Sequence, residues 1–351
     1  MTIYEVARRS GVSTATVSRV MRDGRGFSAA TRDRVLATVG ELGWVPNGSA
    51  RGLVSKRVGI VGLLFPDLAK SGDAEEDSPL YVDQVIRGAE RAATAAGDAV
   101  LIAATLRSSG RQLAYSLASK VDGLVVLASS LADEDLASIA RSVPVVLLAG
   151  GAAGHNLDSV GADNRAGTRE LTSHLIQAHG HRDLAFLSGP ADAPDSVERF
   201  EGYRDALVAA GLPSPPAPDA GGGFTETGGE RAMKALLARR ESPPQAVVFA
   251  NDQMAIGSMK VIRSAGLRVP ADMAVTGFDD ISLSRHLRPA LTTVSQPMRE
   301  LGEQAVRLLL DRIDHPRRQP RSVVLPTEIV IRRSCGCRRL AGATRQARGA
   351  T

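Results

Sequence analysis

The chain has 351 residues, enough for two or three domains with a sizeable core. Hydrophobic residues make up 43% and charged residues 23%, proportions that exclude wholesale disorder, a collagen-like fibre and a disulfide-stapled miniprotein. No uncharged apolar run reaches the roughly 18 residues of a membrane span, and the N-terminus lacks the apolar segment of a signal peptide. The two cysteines fit a reducing compartment, so we expect a cytoplasmic protein.

Charge is unevenly distributed along the chain. Residues 1–57 contain ten Lys and Arg against four Asp and Glu, a net charge of +6, and residues 338–351 contain four Arg and no acid. The intervening residues 58–337 therefore carry a net charge of −5. A basic head on a mildly acidic body indicates that the head meets a polyanion. The low apolar content of the basic tail predicts a disordered segment.

Three short helices are predicted in the head, over about residues 3–10, 13–22 and 29–41. A hydroxyl residue that can cap the first turn stands at or directly before the start of each helix, namely Thr2, Ser13 and Ser28. In the third helix, the apolar side chains expected to face inward are Val35, Leu36, Val39 and Leu42. Three helices packed in this way form a helix-turn-helix unit.

The second helix has the chemistry of a DNA reader. Small residues and arginines occupy its start and its outward face, namely Ser13, Thr14, Ala15, Thr16, Ser18, Arg19 and Arg22. The small ones let the backbone come close to base edges, and the polar ones can hydrogen-bond phosphates or bases. Arg19 is long enough for a bidentate contact to guanine. The alternative is a three-helix packing motif with no DNA role. The net positive charge of the head favours DNA binding over that alternative.

The basic linker after the head contains the apolar residue Leu53, which is unexpected in a segment that is otherwise suited to contact with water. Trp44 is expected to cap the core of the head, and Pro46 to interrupt the chain. Asn47 can then cap a short helix over about 48–54. Leu53 lies on that helix among basic residues, and such a wedge can enter the minor groove and open a base step.

From residue 58 onward, short apolar runs alternate with helical patterns. The runs lie at 58–65, 98–105, 122–128, 144–150, 182–189, 245–250 and 273–278. The helical patterns lie at 82–96, 111–119, 133–141, 165–179, 196–210, 226–240, 253–265 and 298–313. This alternation predicts an α/β body with parallel sheets, long enough for two lobes and a cleft. We expect a first lobe of about 58–162 plus a return segment at 280–292, and a second lobe of 163–279 plus 293–337.

The first 54 residues resemble, without a gap, the DNA-binding head and hinge of the lactose-repressor (LacI/GalR) family, most specifically in TIYEVARRSGVSTATVSRV. The resemblance implies that the second helix is the recognition helix, with base-reading positions at Thr14, Ala15 and Arg19. It also implies a hinge helix that begins at Asn47, in which Ala50 and Leu53 meet the minor groove.

The body resembles the effector-binding core of the same family, which is similar to periplasmic sugar-binding proteins. The resemblance is carried by segments such as SVERFEGYRDAL, VVFANDQMAIGSMKVI and VTGFDDISLSRHLRPALTTVSQP. It implies five effector-contacting residues, Tyr81, Arg199, Phe224, Asn251 and Asp279. Such residues suit a polar ligand, because an arginine fork, a carboxylate and an amide bind hydroxyls while a ring covers the C–H side of a sugar. Pairing of Arg199 with Asp195 or Glu198 on a solvated helix is the alternative.

Two segments depart from the family pattern. Residues 66–81 form an acidic loop that is longer than the family's usual first strand-to-helix connection. Ala149, Gly150 and Gly151 stand where relatives commonly place an acidic or polar pocket residue. The first lobe is therefore expected to contribute an unusual half of the pocket.

No metal, cofactor or catalytic site is expected from local motifs. Cys335 and Cys337 supply too few ligands for zinc, although a redox role for this pair is an alternative. The His-Gly-His sequence at 179–181 is interpreted as a helix end followed by a turn. No Gly-x-Ser-x-Gly motif and no credible acid–base pair is present.

The sequence therefore predicts a small all-α helix-turn-helix head (1–46), a hinge and linker (47–57), a two-lobed, periplasmic-binding-protein-like α/β core (58–337) and a basic tail (338–351). We expect a transcription regulator, a repressor by preference, that binds a pseudo-palindromic DNA operator as a homodimer and responds to a sugar or sugar derivative. The alternatives are a solute-binding protein with no DNA role and a cytoplasmic sugar-modifying enzyme.

Overall fold

The computed structural model describes residues 2–22, 27–44, 57–66, 80–105, 110–150 and 156–337. The chain divides after Gly59 into an N-terminal head and a core. Several predicted features lie outside the described residues: the hinge with Asn47, Ala50 and Leu53, most of the acidic loop, and the basic tail.

The described residues of the head form three helices, α1 (Ile3–Ser10), α2 (Thr14–Arg22) and α3 (Ala29–Leu42). Their apolar faces meet in a small core that buries Val6, Val17, Val20 and Val35, and Trp44 packs on its edge. Ser28 caps α3 through a 3.2 Å hydrogen bond that its Oγ atom accepts from the amide of Thr31. Thr2 precedes α1 as predicted, but its side chain makes no capping hydrogen bond.

The prediction that Leu36 faces inward is wrong. Its side chain is 41% exposed, whereas Val35 and Thr38 are buried and Val39 and Leu42 partly buried. Positions 35, 38, 39 and 42 follow the i, i+3, i+4, i+7 spacing of one helical face, and position 36 lies outside that stripe.

The core elements follow in chain order: β1 (Ile60–Pro66), α4 (Leu80–Ala96), β2 (Ala99–Thr105), α5 (Gly110–Ala118), β3 (Gly123–Leu127), α6 (Asp133–Ala140), β4 (Val145–Leu148), β5 (Asp158–Ala162), α7 (Asn164–His179), β6 (Leu184–Ser188), α8 (Pro194–Ala209), β7 (Ala220–Gly221), α9 (Glu226–Arg239), β8 (Ala246–Phe249), α10 (Asp252–Ser264), β9 (Ala274–Thr276), a short 3-10 helix (Ser282–Arg285), β10 (Thr293–Ser295), α11 (Met298–Asp314), β11 (Ser322–Leu325) and β12 (Glu328–Val330).

Two parallel sheets organise these elements into two lobes. The first lobe has a six-stranded sheet in the order β11-β5-β4-β3-β1-β2, and the second a four-stranded sheet in the order β7-β6-β8-β9. Strands β10 and β12 form a separate antiparallel pair. The first sheet has an apolar cluster on each face, and the second lobe has one larger cluster. The predicted fold class is confirmed, because buried Val- and Leu-rich strands pair in parallel and carry helices on both faces.

The return segment of the first lobe was predicted in the wrong place. Strand β11 joins the first sheet, where Ser322 pairs with Ser159, and helix α11 packs against α4. The two helices approach closely at glycines, since a Cβ atom on Gly302 would lie 2.0 Å from the carbonyl oxygen of Val85. Residues 280–292 instead stay with the second lobe, where Thr292 bridges to β9. The segment that returns is therefore α11 to β11.

Three chain crossings connect the lobes, after β5, after β10 and between β11 and β12. Two of them are hydrogen-bonded to each other: the amide of Asp163 donates to the carbonyl of Leu325 at 2.9 Å, and Thr327 donates to the carbonyl of Asp163 at 3.0 Å. A few bonded segments of this kind can act as a hinge.

Two histidines and two cysteines come together at the C-terminal end of α7. The candidate ligand atoms of His174, His179, Cys335 and Cys337 all lie within 4.8 Å of one another. The expectation that the cysteines have too few companions for a metal was wrong, because it counted ligands only in the local sequence. Folding brings the C-terminal segment to a helix more than 150 residues earlier in the chain.

Candidate functional site

Helix α2 carries the candidate DNA-reading surface. Its N-cap is Ser13, whose Oγ atom accepts a 3.1 Å hydrogen bond from the amide of Thr16. One side of the helix is buried through Val17 and Val20. On the remaining surface, four predicted DNA-contacting residues are exposed, namely Ser13, Ala15, Ser18 and Arg19, while Thr14 and Thr16 are half-buried. The side chain of Arg22 lies outside the described residues.

Arg19 is the long basic side chain on this surface. Its guanidinium carbon lies 5.6 Å from the centre of the Phe27 ring, a cation–π contact that restricts the side chain without removing its donors. The head therefore presents a helix with small residues near its N-terminus and a guanidinium one turn later, a form that the major groove accepts.

A cleft opens between the two lobes at the carboxyl ends of their parallel strands, where open α/β sheets bind ligands. The space between the lining residues is about 670 Å³, and this figure includes some open solvent at the mouth of the cleft. The five residues that the family resemblance implied all line it: Tyr81, Arg199, Phe224, Asn251 and Asp279. The structure thus brings together side chains from both lobes.

Arg199 is the centre of the polar half of the cleft. Its side chain is 3% exposed and stacks on Phe278, with the guanidinium carbon 3.7 Å from the ring centre. The Nε atom donates to Asn164 at 2.8 Å, and an Nη atom donates to the carbonyl of Ala250 at 2.6 Å. A carboxylate oxygen of Asp279 lies 3.5 Å from the same Nη atom. These contacts fix the plane of the guanidinium at the wall of the cleft.

Two carboxyl groups flank Arg199, of which Asp279 is buried and Asp195 partly buried. Burial raises the pKa of Asp279 to about 6, although Arg199 and a 2.6 Å hydrogen bond from Gln296 act in the opposite direction. Burial also raises the pKa of Asp195, whose carboxylate lies 3.9 Å from the guanidinium. The alternative pairing of Arg199 with Asp195 is therefore present, but inside the cleft and not on a solvated helix face.

Asn251 positions the loop that carries Phe224. Its Oδ1 atom caps α10 by accepting from the amide of Met254 at 3.0 Å, and its Nδ2 atom donates to the carbonyl of Phe224 at 3.0 Å. The Phe224 ring covers Gly189 so closely that a Cβ atom there would lie 2.4 Å from the ring. The ring is thereby held at the cleft, half exposed.

Backbone strain is concentrated at this cleft. The non-glycine residues with positive φ are Ser129, Ala149, Phe224, Asp279 and Asp280, and all but the last line it. Such conformations cost about 1–3 kcal/mol each and tend to persist at ligand sites. The strain marks both lobes, because the first two residues follow strands of the first sheet and the next two belong to the second lobe.

The first lobe contributes an apolar half with one notable polar atom. Its lining includes the apolar residues Pro66, Val82, Leu127 and Ala149, together with Ser129. The hydroxyl of Tyr81 is buried and has no hydrogen-bond partner among the described residues. A buried donor of this kind is costly unless something in the cleft accepts from it.

Comparison with known proteins places the chain in a family. Residues 2–47 match the model of bacterial regulatory proteins of the lacI family, and residues 172–335 match a periplasmic binding protein-like domain. Catabolite control protein A of Priestia megaterium is 33% identical over 339 residues, which cover 95% of this chain and 99% of the relative. The chain belongs to the LacI family.

Solved structures agree with the assignment of this LacI-family regulator. The complex of the transcriptional regulator CelR with cellobiose is 34% identical, with a TM-score of 0.71, and the match covers 95% of this chain and 99% of that one. The lac repressor dimer bound to operator and the anti-inducer ONPF is 29% identical, with a TM-score of 0.81 and the same coverage. Within the described residues, no helix of the regulator is long and apolar enough to cross a membrane.

Sequence reasoning missed Asn164 in this LacI-family core. Its Nδ2 atom donates to Asp195 at 2.9 Å and to Glu198 at 3.0 Å, while its Oδ1 atom accepts from Arg199. One amide thus joins the arginine to two acids whose pKa values are raised by burial. Its place at the start of α7, directly after the helix cap Asp163, was the available signal.

Proposed function

We propose that this LacI-family regulator is a repressor whose affinity for an operator is switched by a sugar or sugar derivative bound in the cleft. The observation that carries the proposal is the convergence of Arg199, Asp279 and Phe224 on one cleft between two lobes. A fork of donors, a carboxylate acceptor and an aromatic face are the groups that a ring bearing several hydroxyls needs.

The two halves of the cleft indicate what kind of ligand fits. Polar groups crowd the second lobe, whereas the first lobe offers mainly apolar atoms and the hydroxyl of Tyr81. We therefore expect hydroxyls or a carboxylate of the ligand to face Arg199, and a less polar edge to face Ala149. Relatives with solved complexes include regulators bound to cellobiose and to ribose, which supports a sugar as the ligand class.

The head reads DNA through α2 in this proposal. Thr14, Ala15 and Arg19 contact base edges from the major groove, and Ser13 and Thr16 hydrogen-bond phosphates or bases. A hinge helix begins at Asn47, and its residues Ala50 and Leu53 meet the minor groove, as the family resemblance implies. One head reads a half-site, so a homodimer on a pseudo-palindrome follows. The lac repressor dimer bound to its operator supports this arrangement.

The proposed activity is regulation and not catalysis. Relatives such as CelR of Thermobifida fusca and AscG of Escherichia coli are named as transcriptional regulators, which supports this proposal. We propose a cytoplasmic location, because the operator that the protein binds in this proposal lies on bacterial DNA.

A thermal-shift screen of the full chain against a library of sugars and sugar derivatives tests the ligand class. A hit should raise the Tm of wild-type protein because the ligand binds only the folded state. The same hit should leave the Tm of Arg199→Ala unchanged. The absence of any hit in the library, or shifts that persist in the variant, would contradict the proposal.

A further inference from the structure

The cluster of His174, His179, Cys335 and Cys337 has the geometry of a metal site. The Nε2 atoms of the two histidines are 3.3 Å apart, and the Sγ atom of Cys337 lies 3.5 Å from one and 3.3 Å from the other. Cys335 completes the group, with every pair of ligand atoms within 4.8 Å.

These spacings match the edges of a tetrahedron around zinc. With Zn–N of about 2.05 Å and Zn–S of about 2.3 Å, tetrahedral angles place two nitrogens about 3.3 Å apart and a nitrogen and a sulfur about 3.6 Å apart. Three edges of the cluster already have these lengths to within about 0.3 Å. Two thiols and two imidazoles are also a donor set that structural zinc sites use.

Local backbone features aim the four side chains at one point. His174 and His179 come from the last turns of α7, which ends at Gly180 in the left-handed conformation. Gly336, with φ of 104°, lies between the cysteines, and a Cβ atom there would be 3.3 Å from Nδ1 of His179. A larger residue at 336 would therefore be strained and would press on a ligand.

The surroundings support the ligands. Thr292 donates a 3.1 Å hydrogen bond to the Sγ atom of Cys335, which is itself buried. The ring of His181 stacks on that of His179, with centroids 5.7 Å apart. Contacts of this kind orient metal ligands from outside the coordination sphere.

We propose that these four residues bind one Zn²⁺ ion in a structural Cys₂His₂ site. The ion fastens the segment after β12 to the C-terminal end of α7. The first residue of that same helix, Asn164, hydrogen-bonds the cleft-lining residues Asp195 and Arg199, so the metal site stands at the opposite end of the helix from the cleft. All four coordination positions are filled by protein, which leaves no open position for catalysis.

Metal analysis of the full chain purified in reducing buffer with zinc tests the proposal. Wild type should retain about one zinc per chain after gel filtration, and replacement by Co²⁺ should give the intense visible absorption of a tetrahedral thiolate complex. Chelation should lower the Tm by several degrees, because the ion binds the folded state.

Three variants separate a bound ion from surface adsorption. Cys337→Ser and His179→Ala should lose the zinc and the cobalt spectrum, while His286→Ala, an exposed histidine outside the cluster, should keep both. The cobalt titration of wild type needs no variant to fold. Absence of stoichiometric metal and of the cobalt spectrum would overturn the proposal. So would a Cys335–Cys337 disulfide, seen as an intact mass lighter by two hydrogens despite the reducing buffer.

Discussion

At the scale of single residues, the cleft depends on one buried guanidinium. A desolvated charge is stable only with partners, and Arg199 has Asn164, Asp279 and the carbonyl of Ala250. Any ligand that binds there replaces water at an array that is already oriented, which lowers the entropic cost of binding.

Removing this guanidinium should abolish the response to effector. Arg199→Ala should weaken effector binding by at least about 1.5–3 kcal/mol, since a charged hydrogen-bond partner is lost. Operator affinity without effector should stay at the wild-type value. Isothermal titration and fluorescence anisotropy measure the two quantities, and circular dichroism checks the fold.

The matched control is Arg204→Ala, an exposed arginine on the same helix. It should bind effector normally. A normal effector titration in Arg199→Ala, or an equal loss in both variants, would show that the ligand lies elsewhere.

Effector affinity should depend on pH through Asp279. Its pKa of about 6 is raised by burial, so the carboxylate that accepts from ligand hydroxyls is protonated as the pH falls through 6. Ligand binding favours the ionised form, and affinity should therefore fall from pH 7 to pH 5, by up to about tenfold per unit well below the pKa.

Asp279→Asn should bind more weakly at pH 7 and lose this dependence. Burial also raises the pKa values of Asp195, which lines the cleft, and of Glu198, which shares the amide of Asn164 with it. A pH profile that persists in Asp279→Asn would assign the titration to those acids and contradict the role given to Asp279.

At the scale of elements, we expect α2 to contact bases through Arg19, and a variant of Arg19 can distinguish a base contact from a phosphate contact. Arg19→Ala should cost about 1–3 kcal/mol on the specific operator and little on random DNA, as expected for a bidentate base contact. Arg34→Ala, an exposed arginine on α3, should cost little on the operator. Anisotropy at one fixed salt concentration compares the variants, and equal losses on both DNAs for Arg19→Ala would make it a phosphate contact only.

Element bounds in the core could be predicted where periodicity was strong. The runs at 58–65 and 245–250 become β1 and β8, because continuous Val and Leu are typical of strands buried on both faces. Strand β5, with sequence DSVGA, carries no such signal, and its partner Ser322 lies 163 residues later than Ser159. A pairing that distant cannot be inferred from local pattern, which is why the return segment was misplaced.

The candidate site also has one part that the sequence predicted and another part that it did not. Resemblance to the LacI family located the five cleft residues, since its motifs fix positions along the chain. Asn164 and the four-residue metal cluster depend on contacts between distant segments, and no local spacing reveals them.

At the scale of the whole molecule, the architecture couples two binding events. The residues that line the cleft come from both lobes, which are joined by hydrogen-bonded crossings near Asp163 and Thr327. A ligand that touches both lobes biases their relative position, and by linkage it changes operator affinity by the same factor as operator changes its own affinity. The basic head, with net charge +6, supplies the attraction to DNA.

Operator affinity measured with and without effector tests this account most directly. A specific duplex is first selected from random DNA with the full chain, and its Kd is then measured at fixed salt over a titration of the sugar found by thermal shift. The account predicts a pseudo-palindromic site, a Kd that changes at least about fivefold with sugar, no change in Arg199→Ala, and no binding by a chain lacking residues 1–57. Selection of no specific sequence, or a Kd that no sugar changes, would contradict it.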